Sequence, residues 1–193
     1  MIQNLAAGVR AFTSNAFLVE GDRRVLVDTG ANFDITDRVA EHGGIDAVVM
    51  THTHEDHVGN LADVKAEFDV RAWGFDTDEP GVDERIADEE TVQLGDHEYV
   101  ALHTPGHKND HCCFYSAAAG VLFAGDLVFQ NGSFGRTDLE EGDHGLLVES
   151  IDRVLDVVDD DLDEMHVGHG PSMTDRPYSQ IELAARMARS SGP

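Results

Sequence analysis

The sequence predicts an α/β fold in which two sheet layers pack together and helices cover them. Three observations lead there. The 193 residues are 41% hydrophobic, enough to bury one sizeable core. Short β-branched or aromatic runs fall into two successive blocks, each closing on a helical pattern, the order expected of a layered sheet with similar halves. No short-period repeat or low-complexity segment favours a solenoid instead. We therefore expect a single domain over residues 1–193, with halves at about 1–90 and 91–175 and a C-terminal helix at about 178–189.

Along the chain, Phe12 to Glu20 reads as a strand, Gly21-Asp22 as a turn, and Arg23 to Val27 as the return strand of a hairpin, running into Asp28-Thr29-Gly30. Asp34 to His42 fits a helix with Asp34 as its cap and Gly43-Gly44 as its stop, followed by the β-branched strand Ile45 to Met50. Leu61 to Phe68 is a second helix, and a strand lies near Val70 to Trp73. The acidic stretch from Gly74 to Glu90, with Pro80-Gly81 inside it, reads as a loop with room for one helical turn. Beyond it come strands at Thr91 to Leu94 and Glu98 to His103, a hairpin from Cys112 to Tyr115 and Val121 to Ala124, a helix from about His144 to Val158, a strand near Met165 to Val167, and a last helix at Ile181 to Arg189.

Charge narrows the function. There are 13 basic and 38 acidic residues, so the formal net charge is 13 − 38 = −25. Only two of the basic residues are lysines, Lys65 and Lys108, and no basic stripe follows a path suited to a phosphate backbone. Nucleic-acid binding is therefore not expected. The acidity is spread from Asp22 to Asp175 rather than gathered in a tail. Such a lysine-poor, aspartate-rich balance resembles that of proteins from extreme halophiles, where molar salt shortens the Debye length to about 3 Å and makes self-repulsion tolerable.

No stretch approaches the roughly 18 apolar residues needed to span a bilayer, and Met1 to Phe17 lacks a basic start followed by an apolar block, so no membrane association and a cytoplasmic location are expected. Cys112 and Cys113 are adjacent in a strand, so their side chains point to opposite faces and are badly placed to bridge each other. Buried thiols are the expectation.

The densest chemistry lies in Met50-Thr51-His52-Thr53-His54-Glu55-Asp56-His57, directly after an apolar strand. Three imidazoles and a carboxylate in six residues form a concentrated set of metal ligands, suited to zinc, iron or manganese. A solvated histidine-rich turn is the plainer alternative, but its position behind a buried-type strand argues against that. Thr104-Pro105-Gly106-His107, Ala124-Gly125-Asp126 and Val167-Gly168-His169-Gly170-Pro171 each follow a strand as well, and Asp28-Thr29-Gly30 follows the first hairpin. Residues that end different strands can converge at one edge, with regular structure behind them to fix their geometry.

In spacing and order these five motifs resemble the metallo-β-lactamase superfamily, across Asp28 to His169. The resemblance implies the αββα sandwich of that superfamily, two mixed β-sheets flanked by helices. It also implies two divalent metal ions, zinc first, with iron or manganese as alternatives. His52, His54 and His107 would surround one ion, Asp56, His57 and His169 the second, with Asp126 shared between them. Asp28 would accept a hydrogen bond from the ligand loop and hold it. Lys108-Asn109-Asp110-His111 extends a metal loop, so His111 is a candidate for supporting a ligand or meeting the substrate. His42, His97, His103, His144 and His166 have no motif support and read as surface or structural histidines.

Gly125 to Phe129, Gly132 to Leu139 and Gly142-Asp143 look like the segment found in glyoxalase II-like hydrolases and in the related persulfide dioxygenases. That likeness implies hydrolysis of a small-molecule thioester by a metal-bound hydroxide that Asp56 helps to orient, in a monomer or homodimer. One departure stands out. Only 193 − 169 = 24 residues follow His169, which leaves room for one helix and none for a glutathione-binding helical domain. An anionic substrate would then depend on Lys108, Arg136 or Arg176. Two other readings remain: a mononuclear iron oxygenase built on His52, His107 and Asp126, and a non-catalytic metal-binding module, whose weakness is that structural sites favour cysteine and closed coordination.

If the acidic surface belongs to a saline medium, salt should screen its repulsion of an anionic substrate more than it weakens short-range contacts at the site. The Michaelis constant of such a substrate is expected to fall as salt rises. A constant that climbs steadily with salt would count against the halophile reading.

Overall fold

A computed structural model of the protein describes residues 1–192. The strands are β1 (Ile2–Asn4), β2 (Phe17–Val19), β3 (Val25–Val27), β4 (Ala47–Val49), β5 (Ala72–Gly74), β6 (Glu84–Arg85), β7 (Thr91–Leu94), β8 (His97–His103), β9 (Cys112–Ser116), β10 (Val121–Gly125) and β11 (Glu164–Val167). The helices are α1 (Ile35–Glu41), α2 (Glu55–Val58), α3 (Leu61–Phe68), α4 (His144–Val157) and α5 (Pro177–Ser191). One sheet runs β1-β2-β3-β4-β5-β6 and the other β11-β10-β9-β8-β7. Both are mixed: β3 to β6 are parallel while β1, β2 and β3 pair antiparallel, and β10–β11 is the parallel pair of the second sheet.

The sandwich follows from strands that are apolar on both faces. In Val25-Leu26-Val27 the valines point to the layer between the sheets and Leu26 to the outer layer under α1 and α3. Period-2 alternation of a run with no polar member needs cover on both sides. Val27, Val49, Tyr99, Phe114 and Phe123 fill the space between the sheets. Outside the second sheet, Leu102, Leu122 and Ala124 meet Leu147, Ile151 and Val154 of α4 and Ile181 and Ala184 of α5. Cys112 faces the inner layer and Cys113 the outer one, both as free thiols. Burial pushes both thiols up, Cys113 to about 12.

Most helix boundaries follow the local chemistry. Asp34 caps α1 by accepting from the Asp37 N–H at 3.2 Å, and Asp143 caps α4 by accepting from Leu146 N–H at 3.0 Å. Four differences from the sequence reading have physical causes. The expected strand from Phe12 shrinks to Phe17–Val19, because the backbone before it bonds to loops rather than to a strand: Ser14 N donates to Asp56 O (3.0 Å) and Asn15 N to Gly168 O (2.7 Å). Ile2–Asn4 forms an edge strand that the sequence did not suggest. The helical turn expected within Gly74 to Glu90 is replaced by β6, which extends the first sheet. Finally, α5 starts earlier, at Pro177, where a proline costs no helical hydrogen bond.

Among the described residues, no helix is long and apolar enough to cross a membrane. Ile151 has no exposed surface and lies where α4 meets the second sheet. Ile151→Ala is expected to lower unfolding stability by about 2–5 kcal/mol, read from chemical denaturation midpoints.

Candidate metal centre

The strand directions bring the chemistry together. β8, β10 and β11 run the same way in the second sheet, so the segments that leave them, carrying His107, Asp126 and His169, emerge at one edge. β4 delivers His52 to His57 from the first sheet, and the Cys112 N–H bonds to Thr51 O (2.7 Å), joining the two sheets at that point.

Under this edge lies Asp28, buried and in the left-handed region at φ 57°. Its Oδ1 accepts from the Thr51 N–H (2.8 Å), and its Oδ2 accepts from the Thr51 hydroxyl (2.7 Å) and from His57 Nδ1 (2.8 Å). These bonds fix proton positions. The Thr51 hydroxyl has one hydrogen, and it goes to the carboxylate. His52 Nδ1, 3.1 Å from the same hydroxyl oxygen, must therefore be the donor there, which leaves His52 Nε2 as a free lone pair. His107 Nδ1 donates to the carbonyl of Arg136 (2.8 Å), so its Nε2 is free too. His52 Nε2 and His54 Nδ1 face each other at 3.1 Å.

The donor atoms form three overlapping groups. His52, His54 and His107 make one; Asp56, His57 and His169 make another; and Asp126 joins His52 and His57 in a third. In each, the ligand atoms lie within 4.8 Å of one another. Asp126 stands between them, with Oδ1 3.4 Å from His57 Nε2 and Oδ2 3.4 Å from His107 Nε2 and 3.5 Å from His169 Nε2. His169 Nε2 also lies 3.0 Å from Asp56 Oδ2.

His57 Nε2, His107 Nε2 and Asp126 Oδ1 are buried with no hydrogen-bond partner. Leaving such atoms unpaired is costly, and bound divalent metal would satisfy them. A set of imidazoles and carboxylates without thiolate fits zinc, iron or manganese. The residues present thus fit divalent metal binding.

Electrostatics favour neutral ligands at the first group. Burial and the neighbouring His57 hold the His52 imidazole well below its usual range, and burial with His107 beside it lowers His54 to about 4. At His57 burial works in the same direction, but the carboxylates of Asp28 and Asp126 outweigh it and raise the imidazole to about 10. Burial would raise Asp126; the surrounding imidazoles, His57 foremost, bring it well below the carboxylate range instead.

His111 supports the centre from behind. It is fully buried, its Nε2 accepts from the Asp126 N–H (3.0 Å), and its Nδ1 meets the Thr104 hydroxyl at 2.8 Å. Close packing also explains Gly168: a Cβ there would collide with Asp126 Oδ1 and His57, so only glycine lets the His169 loop pass.

Two expected substrate contacts are not where the sequence suggested. Lys108 is buried, held by Glu79 (2.9 Å), Glu141 (3.0 Å) and Asp110 (3.4 Å), because two acidic loops converge on its own. Arg176 is exposed beside Asp175 at the start of α5, away from the donor atoms. Arg136 does reach the cleft, where it forms a two-point ion pair with Asp138 (2.7 and 2.8 Å). Glu55 is exposed at its rim, and His166 packs between Phe17 and Phe123 with its ring tilted against both.

Over the donor atoms opens a cavity of about 620 Å³. Besides the histidines and carboxylates it is lined by Phe12, Phe129, Phe134 and Leu139. Phe129, Phe134 and Leu139 lie in or beside segments that the sequence singles out, but it assigns none of the four side chains a role at the cleft. Phe12 lies in the stretch that reads as a strand, although an aromatic residue between Ala11 and Thr13-Ser14-Asn15 is a poor strand signal.

A family model described as the metallo-beta-lactamase superfamily matches residues 9–169. The chain is 30% identical over 192 residues to a Haemophilus influenzae protein named hydroxyacylglutathione hydrolase GloC, a match covering 86% of this chain and 90% of that one. It is 30% identical over 171 residues to a hydroxyacylglutathione hydrolase of Chromohalobacter salexigens, covering 87% of this chain but 65% of the longer relative. Among solved structures, TTHA1623 in a di-iron-bound form superposes with a TM-score of 0.74 at 28% identity, over 92% of this chain and 95% of that one.

Asp28→Ala removes the acceptor that orients both Thr51 and His57. Metal affinity, read by competition with a chromogenic chelator, is expected to fall about 10–100-fold, and less in Asp28→Asn, which keeps one acceptor oxygen.

Proposed function

Because the chain belongs to the metallo-beta-lactamase superfamily, whose members include metal-dependent hydrolases, we propose that it hydrolyses a small-molecule thioester at a dinuclear centre, in the manner of a glyoxalase II-like enzyme. The observation that carries this reading is the pair of donor groups meeting at Asp126, with three buried donor atoms lacking any protein partner. His52, His54 and His107 would hold one ion, and Asp56, His57 and His169 the other, with Asp126 common to both. The likeness to a di-iron-bound structure supports two ions rather than one; zinc is the first choice, with iron or manganese fitting the same donors. Two such ions supply Lewis acidity toward a carbonyl oxygen and a water-derived nucleophile at neutral pH.

The protein's own groups do the rest. Asp56 is half-buried at the cleft with Oδ2 engaged by His169, which holds its carboxylate below the usual range despite burial. It therefore stays ionised and can accept a proton from, and so orient, the attacking water. Thiols ionise near pH 8.5, so a thiolate departs with little help and no dedicated general acid is required. The names of the two hydroxyacylglutathione hydrolase relatives support a thioester over other acyl bonds. The acidic surface supports a saline working medium for this hydrolase.

Elemental analysis of the purified chain, a thioester panel and an oxygen electrode test the reading together. We expect two metals per chain, thioester cleavage without oxygen uptake, loss of activity on chelation, and a fall in kcat of about 100-fold or more in Asp56→Asn. Hydrolysis that survives metal removal would overturn the mechanism. One iron per chain with oxygen uptake on a persulfide would replace it with the oxygenase chemistry.

A further inference from the structure

We propose that the cleft, taken as the thioester site above, selects thioesters whose substituents are apolar and carry no free carboxylate, and that Phe12, Phe129, Phe134 and Leu139 set this preference. The inference rests on the thioesterase reading but goes beyond it. Nothing in the metal chemistry requires such a wall.

Consider first what the mouth exposes. Phe12 is 77% exposed and Leu139 38% exposed, and both line the cleft that holds the donor atoms. Leaving a phenylalanine that open is unfavourable unless something covers it. The Phe12 ring lies nearly parallel to the His169 imidazole, centroids 6.1 Å apart, and the Phe129 ring lies 6.3 Å from the same imidazole. A substrate whose carbonyl sits at the donor atoms must lay its arms along these rings. The wall is also anchored. Ser14 and Asn15, two and three residues beyond Phe12, bond to Asp56 O and Gly168 O, while Phe129 N donates to Ser133 O (2.8 Å) and Val128 bridges to Phe134. Such backing lets the rings keep their places when the cleft is empty, which is how a pocket converts contact into selectivity.

Charge excludes the alternative. Among the described residues lining the cleft, Arg136 is the one lysine or arginine, and Asp138 already occupies two of its donors. Lys108 is enclosed by Glu79, Asp110 and Glu141. The lining adds the carboxylates of Glu55, Asp56 and Asp126, on a chain of net charge −25. A tripeptide thiol carrier with two free carboxylates would find one partly neutralised cation and a field that opposes it. Close to the donor atoms the site suits a polar carbonyl; at the mouth it suits hydrocarbon.

The test uses the zinc-loaded full chain. Acetyl, butyryl and hexanoyl thioesters of N-acetylcysteamine, a neutral carrier, are compared with the same acyl groups on glutathione. We expect kcat/KM to rise about two- to fourfold per methylene on the neutral carrier, and each neutral thioester to exceed its glutathione counterpart about tenfold or more. Phe12→Ala and Leu139→Ala, both at exposed positions, should cost the hexanoyl substrate several-fold more than the acetyl one. A flat acyl series, or glutathione thioesters used as well as neutral ones, overturns the proposal. Calorimetric binding of the inert thioethers S-hexyl-N-acetylcysteamine and S-hexylglutathione gives an independent reading. If no thioester is cleaved, the thioesterase reading fails, while tighter binding of the neutral thioether still upholds the preference and tighter binding of the glutathione thioether overturns it.

Discussion

Asp28 takes three hydrogen bonds on one buried carboxylate, and the geometry of the centre descends from them. The Thr51 N–H and hydroxyl fix where the chain turns after β4, and the His57 Nδ1 bond fixes α2 against the end of β3. Burying a carboxylate is expensive unless its lone pairs are used, and here a backbone N–H, a hydroxyl and an imidazole use them. The left-handed conformation at Asp28 adds a cost of about 1–3 kcal/mol typical of strained non-glycine positions. That cost is tolerable only because the surrounding strands determine the turn. With Thr51 committed to Asp28, the proton on His52 has one place to go, so a contact two bonds removed from the donor atoms decides which ring nitrogen is available.

The second sheet solves the same problem differently. Asp126 follows β10, and its backbone is held by His111, a neutral imidazole that burial, with His107 nearby, lowers to about 3. A charged histidine there could not accept from the Asp126 N–H, so burial itself keeps the acceptor in the right state. Thr104 completes the chain of bonds and ties it to β8. Each sheet thus supplies ligands from strand ends and one buried polar group that orients them. The two meet where Cys112 N bonds to Thr51 O.

This division explains what the sequence discloses. The convergence of His52, His54, Asp56, His57, His107, Asp126 and His169 is legible because these residue types directly follow apolar strands, and strands with no polar member announce their burial. Helix α1 is legible through its Asp34 cap and its Gly43-Gly44 stop. The wall of the cleft is not, because Phe12, Phe134 and Leu139 sit in loops, and the path of the Phe12 loop is set by backbone bonds to distant carbonyls. Asn15 to Gly168 spans most of the chain, and no local pattern encodes it. Lys108 misleads for a related reason: beside His107 it looks like a free cation, but its carboxylate partners Glu79 and Glu141 come from loops far away in sequence.

Both lysines of the chain turn out to fasten one loop. Lys65 reaches Asp83 Oδ1 (2.7 Å) and Gly81 O (3.0 Å), and Lys108 reaches Glu79. The loop between β5 and β6 contains Asp76, Asp78, Glu79 and Asp83 and would repel itself and the acidic surface around it. Thr53, between His52 and His54, donates its hydroxyl toward both Glu79 and Asp110, so that loop also braces the turn that carries these candidate ligands. In a chain carrying −25, a compact cation has most effect where several carboxylates must be brought close. Using the lysines there leaves the cleft mouth without them, and it is this allocation, more than the net charge, that gives the mouth its apolar character.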